Sequence, residues 1–300
     1  MIDNSDFIKS TCNKRVRRQT YFVRFCRLMN ILFPCKISTQ HKEQGCYTYV
    51  TISKKRGLDM VAASLYSLYK NSELVPNRII IVSDGSWEPE YGIQYMKKRG
   101  LKVECLSWET CANYYKSSMP ELTLWAEKHI WGKKMVTILY VSETDATLFS
   151  DPDILWYATP LSANEWNSTT FKISIDCCHS YDADFIKASS LDYLYETEDP
   201  INCGAVFIRG GLKLLNEKAL ECIRYQSEHC GAFAEQTVFA IMDNQYNNRW
   251  SREEVISSID DVIQPLFSKT ILYPNTIARH YLYRLKWIYW TEYFKMRVIF

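Results

Sequence analysis

In the segment ILYVSETDATLFSDPDILW, residues 138–156, an apolar run ends abruptly on Glu143, Thr144 and Asp145. Two acidic residues one position apart share a face in extended backbone, so both carboxylates come within reach of a single ion. Held that close they repel and desolvate each other, and a divalent cation relieves both costs. Mg²⁺ and Mn²⁺ suit such a pair because they take oxygen ligands and borrow others from a substrate's phosphates. The competing readings are a solvated acidic loop and a helix N-cap, with Asp145 or Asp151 capping the next element. The runs Cys177-Cys178-His179 and His229-Cys230 are weaker metal candidates. Adjacent side chains on a strand point to opposite faces and chelate poorly, so these thiols are expected to be small buried hydrophobes.

An acidic tip needs a strand to carry it. The run VTILYV (136–141) is expected to be the fourth strand, apolar throughout as a parallel strand covered on both faces should be. Glu143 and Asp145 then fall at its carboxyl end, where open α/β sheets bind ligands. Ahead of it the chain alternates. Strands are expected at CYTYVTI (46–52), RIIIVS (78–83) and LKVECLS (101–107). Between them come a helix carried by Leu58, Val61, Ala62, Leu65 and Leu68 and another near 88–99, with a helical stretch running into EKHIWGKKM. That spacing gives βαβ units and a parallel sheet. Farther on, TFKISI (170–175) and CGAVFI (203–208) read as strands, and 212–229 and 235–242 as helices.

The chain's 300 residues, 47% hydrophobic, suffice for one large α/β domain with extensions. Thirty-six basic against 34 acidic residues leave a net charge of +2, which gives no bulk signal for nucleic acid. Eleven cysteines without a CxxC pair fit free thiols in a reducing compartment. No secretory signal and no run of ~20 apolar residues is visible, so a cytoplasmic location is expected. The basic and aromatic stretch NKRVRRQTYFVRFCRLMNILFPCK near the amino end could lie on the cytoplasmic face of an anionic membrane. The aromatic-basic tail YLYRLKWIYWTEYFKMRVIF (281–300) could do the same, or pack as a helix over the edge of the site.

Several short segments, in order, resemble motifs of one family. ILYVSETDATLFSDPDIL looks like the Asp-x-Asp segment of GT-A fold glycosyltransferases, with Glu143 in place of the first Asp and Asp145 as the second. VSDGS (82–86) is similar to the segment whose Asp reads the nucleotide base, and WGKK (131–134) to the Gly-x-Lys stretch that precedes the acidic motif. PINCGAVFI (200–208) resembles the Asn-Ser-Gly strand, retaining Asn202 and Gly204 with Cys203 for Ser. AEQTVF (234–239) matches the Glu-Gln pair, and HYLYRLKW (280–287) resembles the His-Phe-x-Gly-x-x-Lys segment of family-8 type enzymes, with Tyr283 in place of Gly.

The resemblance implies a Rossmann-like mixed sheet flanked by helices in a single large domain over 46–287, with a basic extension at 1–45 and a tail at 288–300. It implies a metal-dependent transferase that moves a sugar from a nucleoside diphosphate donor, a UDP-sugar, to a glycan, lipid-linked or protein acceptor. Asp145, His280 and Glu143 would hold Mn²⁺ or Mg²⁺; Asp84, Lys134, Glu143 and Lys286 would bind the nucleotide; Gln236, Glu235 and Asn202 would serve catalysis. Family-8 similarity points to retention, with Gln236 beside the reacting carbon. Inversion would need a carboxylate base, with Asp176, Asp199 or Glu235 available. Two alternatives stay open. A sugar nucleotidyltransferase normally carries a Gly-rich phosphate loop after its first strand, which SKKRG (53–57) does not supply. A non-catalytic carbohydrate- or nucleotide-sugar-binding protein of the same fold would bind the donor without turnover.

Overall fold

β-Branched and aromatic runs separated by amphipathic segments build a sheet with helices on both faces. The computed structural model describes residues 14–39, 42–257, 273–282 and 286–298. After helix α1 (Lys14–Leu32), β1 (Glu43–Ser53), α2 (Leu58–Asn71), β2 (Leu74–Ser83), α3 (Pro89–Lys97) and β3 (Glu104–Ser107) form two successive βαβ units. These three strands are parallel. Burial alternates as the pleat requires: Ile79 and Ile81 pack into the core on one face, Ile80 and Val82 into the core on the other.

Helices α4 (Trp108–Tyr115), α5 (Pro120–Lys128) and α6 (Ile130–Ser142) come next without an intervening strand. The expected strand at 136–141 is therefore the last part of α6. Met135, Val136, Ile138, Leu139 and Val141 are all buried, so this helix shows no polar face. An apolar run buried all round carries no helical period, and nothing in it separates a covered helix from a covered strand.

The fourth strand is instead β4 (Thr147–Ser150), four residues long and parallel to β1. β5 (Ile154–Trp156), α7 (Ala163–Ser168), β6 (Phe171–Ile175), α8 (Ala183–Ala188), β7 (Ile201–Ile208), α9 (Glu217–His229), α10 (Ala234–Tyr246), β8 (Arg249–Trp250), β9 (Val255–Ile256), β10 (Ala278–His280) and α11 (Lys286–Val298) complete the order. The main sheet runs β3-β2-β1-β4-β7-β6-β8, and the chain reverses its direction of growth between β1 and β4. β7 is antiparallel to both β4 and β6, so the sheet is mixed rather than all-parallel.

A second, three-stranded sheet runs β5-β10-β9 and sets His280 opposite Ile154. α11 lies against α1 and α2. Tyr289, Trp290 and Tyr293 are buried there, and the Tyr289 hydroxyl donates to the Met60 carbonyl at 2.7 Å. These three rings are packed inside the protein, as the helix reading of the tail expects.

Candidate metal centre at the carboxyl end of β4

Glu143 and Asp145, the expected ligands, lie at the amino end of β4 and are already partnered. Glu143 Oε1 accepts from the Tyr115 hydroxyl and the Leu212 amide, each at 2.9 Å. Asp145 Oδ2 accepts from Thr48 Oγ1 at 2.8 Å and pairs with Arg78 Nη1 at 2.9 Å. Neither reaches His280. Because the expected strand is a helix, both carboxylates are at the wrong end of the sheet for a ligand crevice.

Four residues of β4 carry the chain to the opposite end and to a second acidic pair, Asp151 and Asp153. Asp151, Asp153 and His280 offer ligand atoms that all lie within 4.8 Å of one another. His280 Nε2 stands 3.2 Å from Asp153 Oδ1 and 3.8 Å from Asp151 Oδ2. The backbone sets this arrangement, since β10 pairs with β5 directly after Asp153, and the Tyr281 amide donates to the Asp153 carbonyl at 2.9 Å. The acidic pair thus sits at the carboxyl end of a strand beside the point where strand order reverses.

The neighbours of His280 set its tautomer. Asn202 Oδ1 accepts from the Gly204 amide at 2.8 Å while its Nδ2 donates to Asp176 Oδ2 at 3.1 Å, which fixes the amide orientation. That oxygen lies 2.9 Å from His280 Nδ1, so Nδ1 carries the proton. In the neutral ring Nε2 then presents a lone pair to two carboxylates. Acceptor against acceptor in a buried site is repulsive, and either a proton or a cation between them resolves it. Two carboxylates and an imidazole whose other nitrogen is held by a side-chain amide form a donor set that fits a divalent ion.

A β-bulge makes room for the ring. The β6–β7 register shifts between Ile173 and Ser174, opposite residues 203–205. A Cβ added to Gly204 would stand 2.3 Å from His280 Cε1 and 2.4 Å from Nδ1. Gly204→Ala is therefore expected to push the imidazole off its axis and weaken divalent-ion binding about 10- to 100-fold, as loss of ligand orientation does elsewhere. Overpacking should cost about 1–3 kcal/mol of stability as well. Calorimetric titration with Mn²⁺ beside urea denaturation checks both.

Around this centre the fold gathers most of the other expected residues. Lys134 on α6 is buried, with Nζ 3.0 Å from Asp151 Oδ2, 3.4 Å from Cys203 Sγ and 3.8 Å from Glu235 Oε1. Burial works against its ammonium form, but Asp151 and Glu235 outweigh it and leave the pKa above the ordinary lysine value. Glu235 opens α10, and burial pushes its pKa up although Lys134 opposes the shift. Its Oε2 is buried without a hydrogen-bond partner among the described residues. Gln236 donates through Nε2 to Asp176 Oδ2 at 3.0 Å, so one carboxylate holds both Asn202 and Gln236.

Asp84 lies just past the carboxyl end of β2. Its Oδ1 accepts from the Ser86 amide at 3.1 Å, and its carbonyl accepts from Lys133 Nζ at 2.7 Å. Gly85, at φ 100°, turns the chain there. Asp199, one of the three carboxylates available for inversion, pairs with Arg252 at 3.0 Å among exposed side chains and joins none of these groups. Lys286 opens α11, its side chain lying outside the described residues, as does Tyr283.

Asp153 and Asp151 are the candidate ligands that sequence reasoning missed. The signal was present: Asp-Pro-Asp has the same one-residue spacing as Glu-Thr-Asp and directly follows the short run TLFS. The cysteine expectation fails for a related reason, because Cys177 and Cys178 lie in a bend beyond β6 and not on a strand.

No family model and no curated protein sequence matches the chain. Solved structures do. The mouse xyloside xylosyltransferase 1 apo form superposes with a TM-score of 0.49 at 13% identity, over 78% of this chain and 97% of that one. The galactosyltransferase LgtC, in complex with donor and acceptor sugar analogs, gives 0.46 at 13% identity over 83% and 95%. The mannosyltransferase Ktr4p from S. cerevisiae gives 0.44 at 10% identity over 75% of each chain.

Proposed function

We propose that the protein is a metal-dependent glycosyltransferase that takes a sugar from a nucleoside diphosphate, a UDP-sugar by motif resemblance, and places it on a glycan, lipid-linked or protein hydroxyl. The observation that carries this reading is the fixed tautomer of His280, which aims a lone pair at Asp151 and Asp153 where the strand order reverses. Mn²⁺ fits the set better than Mg²⁺: both accept carboxylate oxygen, whereas imidazole suits first-row transition ions. When bound, the ion would supply a Lewis acid against the charge that builds on the departing diphosphate.

The chain's own residues supply the rest. Asp151 and Asp153 hold oxygen ligands on one side of the site, and Asn202 keeps the His280 proton on Nδ1. Lys134 sets the position of Asp151 and adds a fixed positive charge that costs no reorganisation during reaction. Asp84, past the end of β2, would accept from a base N–H, as the motif resemblance implies. The unpartnered Oε2 of Glu235 is suited to a sugar hydroxyl. Asp176 is buried and holds both Asn202 and Gln236, which argues against it as an inverting base; retention with Gln236 near the reacting carbon rests on the family-8 resemblance, and Glu235 is the carboxylate left for inversion.

Incubating the protein with UDP-sugars and Mn²⁺ tests this reading. Donor hydrolysis or transfer that stops on chelation, together with a metal-dependent rise in melting temperature, is expected. Donor binding without turnover under every acceptor tried would instead identify a non-catalytic binding protein.

A lipid-linked acceptor draws support from α1. No described helix is long and apolar enough to cross a membrane. Yet Tyr21, Phe25, Leu28, Ile31, Leu32 and Phe33 are all exposed, at 49% or more, with Arg24 and Lys36 exposed beside them. Such a face can bury its rings at the headgroup level of an anionic bilayer. The protein is expected to float with phosphatidylserine-containing vesicles and F25D/L28D to stay at the bottom of the gradient; equal flotation of both would exclude this face.

A further inference from the structure

We propose that Cys177, Cys178 and Asp176 form a second cation site, selective for a thiophilic d¹⁰ ion of the Zn²⁺ or Cd²⁺ class and distinct from the Asp151–Asp153–His280 centre. The bend after β6 turns both thiols to one side, with Sγ atoms 3.9 Å apart. Two thiolates on one tetrahedral zinc, at about 2.3 Å each, stand about 3.8 Å apart. The pair is therefore already at the bite that chelation needs.

Asp176 completes the group, its ligand atom lying within 4.8 Å of both sulfurs. Its Oδ1 accepts from the Cys177 amide at 2.7 Å, which holds the carboxylate against the thiols. His179 is not among the ligand atoms that converge here, its Nε2 lying 2.8 Å from the Thr197 carbonyl, so solvent supplies the fourth ligand. Cys178 is exposed and Cys177 half-buried, which leaves an entry path. Sulfur ligands separate this site from the oxygen-rich centre by softness, so the two take different ions. Binding replaces the two S–H bonds by two sulfur–metal bonds, and both protons go to solvent.

The sites are linked through Asp176, whose other oxygen holds Asn202 and Gln236, and Asn202 in turn holds His280. An ion drawing on Asp176 would loosen that line, so occupation of the thiol site should weaken Mn²⁺ binding.

Cd²⁺ titration of the full chain tests the proposal, monitored by its thiolate charge-transfer absorption and by proton release in weak buffer. One tight equivalent releasing about two protons is expected, with C177S and C178S each weakening it by roughly 100-fold or more. C46S, which alters an exposed cysteine elsewhere, should leave that equivalent in place. Far-ultraviolet circular dichroism and retained Mn²⁺ binding establish that the serine variants are folded. Unchanged Cd²⁺ affinity in folded C177S or C178S, or loss of the tight equivalent in C46S, would overturn the site.

Discussion

On the proposed reading, Asp153→Ala should lower Mn²⁺-dependent transfer by roughly a thousandfold or more, while Asp145→Ala should stay within a few-fold of the parent chain. The first figure rests on the several kcal/mol a Lewis-acid cation contributes at a developing charge, at 1.36 kcal/mol for each tenfold in rate. Asp153 faces His280 Nε2 at 3.2 Å, so its loss would remove one proposed ligand and leave the imidazole lone pair opposite Asp151 alone. Asp145 sits at the other end of β4, where Arg78 keeps its pair with Glu104 at 2.6 Å when the aspartate is gone. That loss should cost stability of about 1 kcal/mol, as partly exposed pairs and single hydrogen bonds do. Measured together, Mn²⁺ affinity, donor turnover and urea midpoints of the two variants separate the acidic pairs cleanly. Loss of Mn²⁺ affinity in Asp145→Ala with affinity retained in Asp153→Ala would return the site to the amino end of the strand.

The two acidic pairs also mark what the sequence could and could not disclose. Strands β1, β2, β6 and β7 and helices α2 and α10 are legible because each keeps its period or its β-branched run between clear breaks. The segment 130–150 is not. There a helix whose residues 134–142 are buried except for a partly exposed Tyr140 precedes a strand of only four residues, so the longer apolar run took the place of the shorter one. That one substitution moved the expected metal ligands by eight residues, from Glu143 and Asp145 to Asp151 and Asp153. His280 was legible as a residue type, but its partners were not. They depend on β10 pairing with β5 across more than a hundred residues, and on a bulge at Cys203–Ala205 that local pattern does not encode. Asp176 reads from sequence only as a base, whereas the fold uses it to hold two side-chain amides at once.

Lys134→Met should cost about 3–5 kcal/mol of stability near neutral pH, the penalty for removing one partner of a buried ion pair. Methionine matches the stem of the lysine and leaves little cavity, so the loss is electrostatic. Glu235, buried and with one oxygen that has no partner among the described residues, loses its nearest cation, and Asp151 loses a donor at 3.0 Å. Glu235 already titrates above the ordinary carboxylate range because burial disfavours its charged form, and without Lys134 its folded-state pKa rises further. The folded chain then binds a proton that the unfolded chain has released, so stability falls as pH rises through the window between the two pKa values. The variant should therefore be least stable at neutral pH and recover as the medium is made acid towards the unfolded value of about 4.3. Urea midpoints across pH 5 to 8 read this slope directly. Adding Glu235→Gln to Lys134→Met removes the titrating group, so the slope should flatten and part of the lost stability return. A double variant with the same slope as Lys134→Met would assign the effect to another carboxylate and would remove Glu235 from the charge cluster beside the candidate metal centre.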